Sequence, residues 1–191
     1  MAAVRKPRFL SAEEYLTLEE KAVDRSEYFN GEIFLMAGGS LNHSQITVNA
    51  IVLTGNQLAK KDCRVFSVDL RLNVLKNGLF TYPDLMVICG EIEYFSQRRD
   101  TVTNPVLIIE VLSESTRDYD KGFKFELYRG IPTLRHYVWI EQARVHVTHH
   151  TRVDEHKWLL EEFNDISDVI AIDPPGVQLA LVDLYDKVSF K

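Results

Sequence analysis

The stretch that decides the fold reads Val106-Leu107-Ile108-Ile109-Glu110-Val111-Leu112. A run this short and this apolar is typical of a strand that is buried on both faces of a sheet. It contains one carboxylate, that of Glu110. An ionised carboxylate in such a strand is costly unless a cation or hydrogen-bond donors compensate its charge. The sequence therefore predicts a compensating group close to Glu110.

A second carboxylate lies in the preceding apolar segment, which begins Tyr82-Pro83-Asp84. We expect a buried strand from Thr81 to Cys89, and this strand can lie beside the strand that carries Glu110. Two carboxylates on adjacent strands would bring their negative charges together. This arrangement indicates a shared divalent metal ion.

A lysine-bearing helix follows the two strands. Its sequence reads Asp120-Lys121-Gly122-Phe123-Lys124-Phe125-Glu126-Leu127-Tyr128. The pattern predicts an amphipathic helix from Asp118 to Arg129, ended by Gly130 and by Pro132 shortly after it. Such a helix can carry a lysine back over the two acids. Two acids and a lysine on a small mixed sheet are the parts of a metal-dependent phosphodiesterase.

The remaining elements follow from local signals. Ser11-Ala12-Glu13-Glu14 is a capping box that opens a short helix, and Asn30-Gly31 predicts a hairpin turn. The other predicted elements are a helix from about Ser40 to Lys60, a strand from Arg64 to Leu75, an irregular segment from Gly90 to Asn104, a loop over Ser113-Glu114-Ser115-Thr116, a strand meander over Leu134–Ile140, Ala143–His150 and His156–Phe163, and a turn at Asp173-Pro174-Pro175-Gly176. The order of elements predicts a mixed α/β core.

Composition limits the function classes. The chain has 191 residues, of which 46% are hydrophobic, and it has no apolar run of the roughly 18 residues that a membrane span needs. The basic N-terminus, Met1 to Arg8, leads into no apolar segment, so we expect no signal peptide and no membrane association. Cys63 and Cys89 are too few for a disulfide framework, which favours a reducing cytoplasm.

The charge distribution qualifies the overall acidity. A net charge of −6 argues against nucleic acid as a partner. Bases nevertheless slightly outnumber acids between Arg98 and Arg144, whereas acids outnumber bases about two to one from Arg152 onward. The acidity is thus weighted toward the C-terminal segment and away from the predicted site. No basic stripe of a strong DNA binder is present.

The ordered set of motifs resembles the bacterial Uma-two family of restriction-endonuclease-like proteins, in the PD-(D/E)XK nuclease superfamily. The resemblance spans about residues 9 to 165. Besides the segments already quoted, it covers Asn30-Gly31-Glu32-Ile33, Met36-Ala37-Gly38-Gly39-Ser40-Leu41-Asn42-His43, Ser67-Val68-Asp69-Leu70-Arg71 and Leu134-Arg135-His136-Tyr137-Val138-Trp139.

The resemblance implies a restriction-endonuclease-like mixed β-sheet core flanked by helices, with an N-terminal helix and hairpin and a C-terminal β-meander. We expect a single domain over residues 1–191 with its core at about 40–141. The implied catalytic residues are Asp84, Glu110 and Lys124. The superfamily keeps its lysine two residues after the second acid, where this sequence has Leu112. In the Uma-two family the lysine has moved to the following helix, which corresponds to Lys124.

The implied metal ligands are Asp84, Glu110 and the backbone carbonyl of Val111. This oxygen-rich set suits Mg²⁺ or Mn²⁺ and not zinc. The metal would polarise the scissile phosphate and lower the pKa of a bound water, while Lys124 would position that water or balance charge. No organic cofactor is expected.

Four further residues are accessory candidates: Glu27, His43, Asp69 and Lys121. Glu27 or its hairpin neighbour Glu32 can complete the metal site. His43 can bind phosphate, or it can simply cap a helix. Asp69 can point into the cleft or pair with a nearby base. Lys121 is the alternative to Lys124.

The C-terminal histidines also raise the question of a zinc site. His149 and His150 are consecutive, so on a strand they point to opposite faces and cannot bind one metal from regular geometry. No pair of cysteines accompanies His146, His149, His150 and His156. A polar strand face is the preferred interpretation.

The leading hypothesis is a Mg²⁺-dependent endonuclease that hydrolyses DNA phosphodiester bonds. A catalytically weak or inactive DNA-binding or interaction module with the same fold is the alternative from another class. A hydrolase for another phosphate ester is a third reading. Cleavage of both strands of a duplex favours a homodimer.

Overall fold

The computed structural model describes residues 9–36, 38–113 and 117–190. The helices are α1 (Ala12–Glu19), α2 (Leu41–Leu58), α3 (Arg117–Tyr119), α4 (Phe125–Tyr128) and α5 (Leu181–Leu184). A π-helical turn, Asp120–Lys124, joins α3 to α4, and we call the whole run the helical segment 117–128. The strands are β1 (Ser26–Phe29), β2 (Glu32–Leu35), β3 (Cys63–Ser67), β4 (Arg71–Val74), β5 (Leu79–Thr81), β6 (Leu85–Cys89), β7 (Tyr94–Phe95), β8 (Arg98–Val102), β9 (Leu107–Leu112), β10 (His136–Glu141), β11 (Val147–Arg152), β12 (Trp158–Phe163), β13 (Val169–Ile172) and β14 (Val177–Ala180).

The strands form two six-stranded sheets and a small hairpin. The first sheet has the order β2-β1-β5-β4-β8-β7, the second has the order β12-β11-β10-β9-β6-β3, and β13 pairs with β14. In the second sheet β9 and β10 are parallel, and their other neighbours are antiparallel. The helical segment 117–128 connects the two parallel strands, as a parallel connection requires. The predicted mixed α/β class is confirmed, although the strands divide between two sheets and not one.

Several locally encoded elements are confirmed. Ser11 and Glu14 form the reciprocal capping box of α1. The turn at Asn30 and Gly31 joins β1 to β2. The C-terminal meander β10-β11-β12 is antiparallel, as predicted. These elements depend on contacts between residues close in sequence, which a pattern can record.

Two predicted strands are each broken into two. The strand predicted from Arg64 to Leu75 is interrupted at residues 68–70, so that β3 lies in the second sheet and β4 in the first. The strand predicted from Thr81 to Cys89 begins with β5 of the first sheet and continues as β6 of the second. The break at residues 82–84 contains Pro83, whose nitrogen cannot donate to a ladder. Asp84 is therefore placed at the crossing between the two sheets.

The segment from Gly90 to Asn104 is not irregular as predicted. It forms the hairpin of β7 and β8 at one edge of the first sheet. The loop predicted over residues 113–116 begins at Ser113, and its other three residues lie outside the described ranges. The basic N-terminus, 1–8, lies outside them as well.

The two faces of β9 explain which way its side chains point. Leu107, Ile109 and Val111 pack into the core beneath α2 and the C-terminal hairpin. Ile108 and Leu112 pack into the other core, which contains residues of the helical segment 117–128. Because side chains alternate along a strand, Glu110 faces the helical segment as well. This alternation allows a lysine from the helix to reach Glu110.

The cysteines behave differently from the prediction. Cys63 of β3 lies opposite Cys89 of β6 in the antiparallel register, and the two form a disulfide. The number of cysteines gives no information about strand register, so the pair could not be found from the sequence.

Among the described residues, no helix combines the length and the apolar character that crossing a membrane requires.

Candidate active site

Asp84 anchors one side of the site from the crossing between the sheets. Its Oδ2 accepts a hydrogen bond from the backbone N–H of Val111 at 2.8 Å. Its own backbone N–H donates to Oε2 of Glu110 at 3.3 Å. The two acids predicted from sequence are therefore linked through the backbones of both segments.

Glu110 is the buried member of the pair. Its Oε1 accepts a hydrogen bond from the hydroxyl of Tyr128 at 2.9 Å and lies 3.0 Å from Nζ of Lys124. Burial, opposed by Lys124 and reinforced by the charges of Asp84 and Asp120, raises the pKa of Glu110 to about 8. An additional cation would lower this pKa, because it would favour the ionised carboxylate.

Lys124 lies at the end of the π-helical turn and is nearly inaccessible, with a side-chain exposure of 6%. Its Nζ is 2.9 Å from Oε1 of Glu27, 3.0 Å from Oε1 of Glu110 and 3.5 Å from Oδ1 of Asp120. Burial alone would lower the pKa of Lys124, but the negative charges of Glu110 and Glu27 outweigh it and raise the pKa. The lysine is thus an ammonium ion held among three carboxyl groups.

Glu27 of β1 is the hairpin acid that the fold places at this site. Besides Lys124, its carboxylate accepts hydrogen bonds from Thr81 Oγ1 at 2.5 Å and from the hydroxyl of Tyr119 at 3.1 Å. Burial would raise the pKa of Glu27, but Lys124 and the two hydroxyl donors lower it overall. The alternative acid, Glu32 of β2, is exposed.

His43 reaches Asp84 from the first turn of α2. Its Nε2 lies 3.3 Å from Oδ2 of Asp84. Burial would lower the pKa of His43, but the hydrogen bond to Asp84 and the charges of Asp84 and Glu110 raise it overall. Gly39 packs against the ring, since a Cβ at Gly39 would lie 2.9 Å from Nδ1 of His43. The sequence therefore needs a residue without a side chain at position 39.

Val111 contributes through its backbone. On the β6 side, pairing of β9 extends only as far as Ile109 with Leu85, so no residue of β6 is paired with Val111. The N–H and C=O groups of one strand residue point to the same side. Since the N–H of Val111 binds Asp84, its carbonyl also faces the side of Asp84.

Two accessory candidates lie elsewhere. Asp69 is in the turn between β3 and β4, its side chain is 73% exposed, and it pairs with Arg25. Of the two roles that the sequence left open for Asp69, the structure shows the ion pair with a nearby base. The break between the two sheets turns Asp69 away from the cleft. Lys121 binds Glu141, at 2.7 Å from Oε1, and not the Asp84–Glu110 pair.

The sequence-based prediction missed three residues that complete the surroundings of Lys124. Asp120 pairs with Lys124, Tyr128 donates to Glu110, and Tyr119 donates to Glu27. Asp120 precedes Lys124 by four residues, and that spacing is a signal for a contact on a helix. The tyrosines carry no such signal, because aromatic residues in an amphipathic helix usually indicate core packing.

The histidines of β11 follow the predicted alternation. His149 contacts His136, with 2.9 Å between Nε2 and Nδ1. His150 instead packs against Phe125 and Trp139. Across the described ranges, no group of three or more His, Cys, Asp or Glu side chains is arranged to hold a metal ion.

The donor set still fits the metal expected from the resemblance. Mg²⁺ is commonly bound by one or two carboxylates, and water and phosphate oxygens complete its shell. Asp84 and Glu110 supply the two carboxylates, and the carbonyl of Val111 faces them. Four carboxyl groups (Glu27, Asp84, Glu110 and Asp120) meet two bases (His43 and Lys124). This excess of acids favours a further cation.

Comparison with known proteins places this fold and its motifs in a family. The model of the Uma2 family, described as "Putative restriction endonuclease", matches residues 12–182. The chain is 40% identical over 162 residues to the uncharacterized protein sll1609 of Synechocystis sp. (strain ATCC 27184 / PCC 6803 / Kazusa), an alignment that covers 85% of this chain and 92% of the relative. It is 36% identical over 183 residues to the uncharacterized protein slr1290 of the same strain, which covers 95% and 94%.

A solved structure shares the fold. The crystal structure of a "putative nuclease belonging to DUF820" from Anabaena variabilis ATCC 29413 superposes with a TM-score of 0.76 at 18% sequence identity, over 94% of this chain and 99% of that chain. The family description indicates a restriction-endonuclease-like nuclease, and the solved structure shows that the fold is shared. Since the family model spans all but the ends of the sequence, the chain belongs to the Uma2 family.

Proposed function

We propose that this protein is a Mg²⁺- or Mn²⁺-dependent endonuclease that hydrolyses phosphodiester bonds in DNA at Asp84, Glu110 and Lys124. One observation carries the proposal. Asp84 from a sheet crossing and Lys124 from a π-helical turn both contact Glu110 of a central strand, at 3.3 Å and 3.0 Å. Clusters of buried titratable groups with perturbed pKa values are typical of functional sites.

Asp84, Glu110 and the carbonyl of Val111 would hold the metal ion. When bound, that ion polarises the scissile phosphate and supplies an acidic water as the nucleophile. The N–H of Val111 keeps the Asp84 carboxylate oriented, since it binds Oδ2 at 2.8 Å. The Tyr128 hydroxyl does the same for Glu110 at 2.9 Å.

Lys124 supplies the positive charge on the helix side of the site. Its ammonium group orients the attacking water or stabilises the negative charge that develops on the phosphate. Glu27 fixes the lysine at 2.9 Å, so that Glu27 is a positioning residue. His43 contacts Asp84 on the opposite side and would hold this carboxylate in place beside the metal.

A specific observation also favours the alternative, an inactive module with the nuclease fold. Lys124 contacts Glu27, Glu110 and Asp120 directly, so an internal cation already occupies the position between these acids. In this reading the acids and the lysine serve stability alone. The two readings differ in whether a divalent ion binds at Asp84.

The test compares Asp84→Asn and Glu110→Gln with the parent in a plasmid-nicking assay over a Mg²⁺ titration. The matched control is Asp69→Asn, which removes an exposed carboxylate outside the site. We expect both site variants to lose at least about a hundredfold in rate and the control to keep the parental rate. Equal cleavage by the parent and the two site variants would show that the chemistry lies elsewhere. A parent that neither cleaves nor binds Mg²⁺ by calorimetry would favour the inactive module.

A homodimer and a cytoplasmic location remain predictions. Sedimentation measures the first, and localisation of the tagged protein measures the second. The dimer would be refuted by a protein that sediments as a monomer and cleaves one strand of the duplex at a time.

A further inference from the structure

A second charged cluster lies beside the site and plays no part in the proposed chemistry. Glu141, the last residue of β10, is buried, with a side-chain exposure of 2%. Its Oε2 lies 2.7 Å from an Nη atom of Arg117, and its Oε1 lies 2.7 Å from Nζ of Lys121. Each carboxylate oxygen thus holds one cation, and both cations belong to the helical segment 117–128.

The cluster is a fixed step away from the site. In the parallel register, Glu141 lies opposite Leu112, two residues beyond Glu110. Two strand residues span about 7 Å, which equals about two nucleotide steps at the rise of a B-form strand. Lys121 and Lys124 are three residues apart in one helical turn and bind Glu141 and Glu110 respectively. A phosphate bound by the cluster would therefore lie within a few nucleotides of the scissile bond.

An open cleft with a volume of about 790 Å³ adjoins the cluster. Its lining includes Arg117, together with Ser40, Asn42, Ser113 and Gln142. Of the described residues that line the cleft, Arg117 is charged and the others are neutral. The volume is within the range that accommodates a small-molecule ligand. Ser40 and Asn42 of this lining stand at the start of α2, next to His43 in the sequence, and Ser113 directly follows β9, which carries Glu110.

The walls of the cleft are joined by hydrogen bonds before any ligand binds. Ser40 Oγ donates to the side-chain oxygen of Gln142, and the Asn42 amide donates to the Gln142 carbonyl at 3.2 Å. These contacts tie the start of α2 to the end of β10. The cleft is therefore preformed, which reduces the entropy lost on binding.

The charge balance of the cluster favours an anion. Among the side chains that the structure describes, two cations share the carboxylate of Glu141, which leaves one positive charge in excess. Arg117 and Lys121 remain 40% and 32% exposed, although the carboxylate that holds them is buried. Their side chains are thus fixed at one end and open to solvent. Arginine binds phosphate through two parallel N–H groups, and lysine binds it as a point charge.

We propose that Arg117 and Lys121 form a clamp for the phosphate backbone of the DNA strand that enters the site through this cleft, with Glu141 as the residue that positions both cations. This inference rests on the proposed function, because it names where the same substrate is held. It assigns Lys121 to substrate binding and not to the chemical step.

The test measures binding without cleavage. Fluorescence anisotropy with a labelled DNA duplex in EDTA is recorded from 50 to 200 mM salt for the parent, Arg117→Gln and Lys121→Gln. The control is Lys157→Gln, an exposed lysine in the loop before β12. That loop lies at the opposite end of the sheet, because β11 and β12 pair from Val147 with Phe163 to Arg152 with Trp158.

We expect each clamp variant to bind about three- to tenfold more weakly at 100 mM salt and to reduce the slope of log K against log salt by about 0.7 to 0.9. Lys157→Gln should retain both values. Arg117→Lys keeps the positive charge and should therefore retain the slope. A slope that falls in Arg117→Gln but not in Arg117→Lys is then an effect of the lost charge and not of misfolding. Glu141→Gln should weaken binding although it removes a negative charge, because the two cations lose their anchor.

Failure of this inference differs from failure of the proposed function. If Arg117→Gln and Lys121→Gln keep the parental affinity and slope, the clamp is refuted whether or not the parent cleaves DNA. Weaker binding with an unchanged slope also refutes it, since no phosphate contact was lost. A parent that cleaves with Mg²⁺ and shows normal binding in both variants leaves the active site in place without the clamp.

Discussion

Replacement of Lys124 by methionine removes the ammonium group and keeps a side chain of similar length. In the folded protein the ammonium lies 2.9 Å from the ionised carboxylate of Glu27. Coulomb's law gives about 6 kcal/mol for this pair at an effective dielectric constant of about 20. The variant no longer has to desolvate the lysine, which offsets part of that loss. Since three buried carboxyl groups are left without their cation, we expect a net loss of about 3–5 kcal/mol in the free energy of unfolding.

The loss should depend on pH in a defined direction. Without Lys124 the pKa values of Glu27 and Glu110 rise in the folded state, because the cation that most favours their ionised forms is gone. The folded variant then binds more protons than the folded parent, so its deficit is largest near pH 8 and shrinks as the pH falls toward 5.

Thermal unfolding followed by circular dichroism measures both effects. For a chain of this size, 3–5 kcal/mol corresponds to a decrease of about 6–20 °C in Tm. The control Lys187→Met removes an exposed pair with Asp186 and should change Tm little. The sharpest readout is a sign change. Glu27→Gln should destabilise the parent but stabilise the Lys124→Met variant, since it removes a charge that has lost its partner.

If Lys124→Met unfolds at the parental temperature at pH 8, the ammonium does not compensate the carboxylates. A deficit that is constant from pH 5 to pH 8 would point instead to lost packing. Either result would refute the electrostatic account of this cluster, independently of any effect on cleavage.

Two further predictions follow from single features. A pKa of Glu110 raised to about 8 means that the folded chain holds a proton between about pH 4.5 and 8 that the unfolded chain releases. The stabilising contribution of this group is therefore complete below pH 4.5 and is lost as the pH rises through 8. Glu110→Gln should flatten this part of the plot of Tm against pH, and an unchanged slope would contradict the raised pKa of Glu110. The Cys63–Cys89 disulfide closes a loop over a sequence separation of 26, which corresponds to roughly 3 kcal/mol of stability. The Cys63→Ser/Cys89→Ser variant should have a lower Tm than the oxidised parent, and dithiothreitol should not change the Tm of the variant. Equal Tm values for the variant and the oxidised parent would show that the disulfide adds no stability.

Local sequence signals predicted much of the fold, and the limits of these signals explain the errors. A capping box and an Asn-Gly turn involve residues within four positions, so Ser11 and Gly31 were sufficient to locate α1 and the first hairpin. Periodicity gives the face on which a residue lies but not the strand beside it. Hence the runs around Asp69 and Pro83 were read as continuous strands, although each passes from one sheet to the other.

The same distinction applies to the site. The isolated carboxylate of Glu110 in an apolar strand was visible because a buried charge is unusual in any context. Asp84 was visible in the preceding apolar segment for a similar reason, and the resemblance then selected Lys124 as the lysine of the site. The hydroxyl donors of Tyr119 and Tyr128 were not visible, because their rings also pack in the core and their hydrogen bonds depend on tertiary geometry. The pairing of Cys63 with Cys89 depends on strand register, which no local pattern contains.

The relocation of the lysine has a structural consequence. A lysine at position 112 would leave the strand on the same face as Glu110, two residues further on. Leu112 there is fully buried in the core shared with the helical segment, so a lysine at this position would bury a charge where apolar packing now lies. Supplying the ammonium from Lys124 keeps that core apolar and makes the site depend on the helix. The π-helical turn sets the rotation of Lys124 toward Glu110 and of Lys121 toward Glu141. One turn of irregular helix thus places one lysine for the proposed chemistry and the other for the proposed phosphate clamp, and π turns are frequent at functional sites.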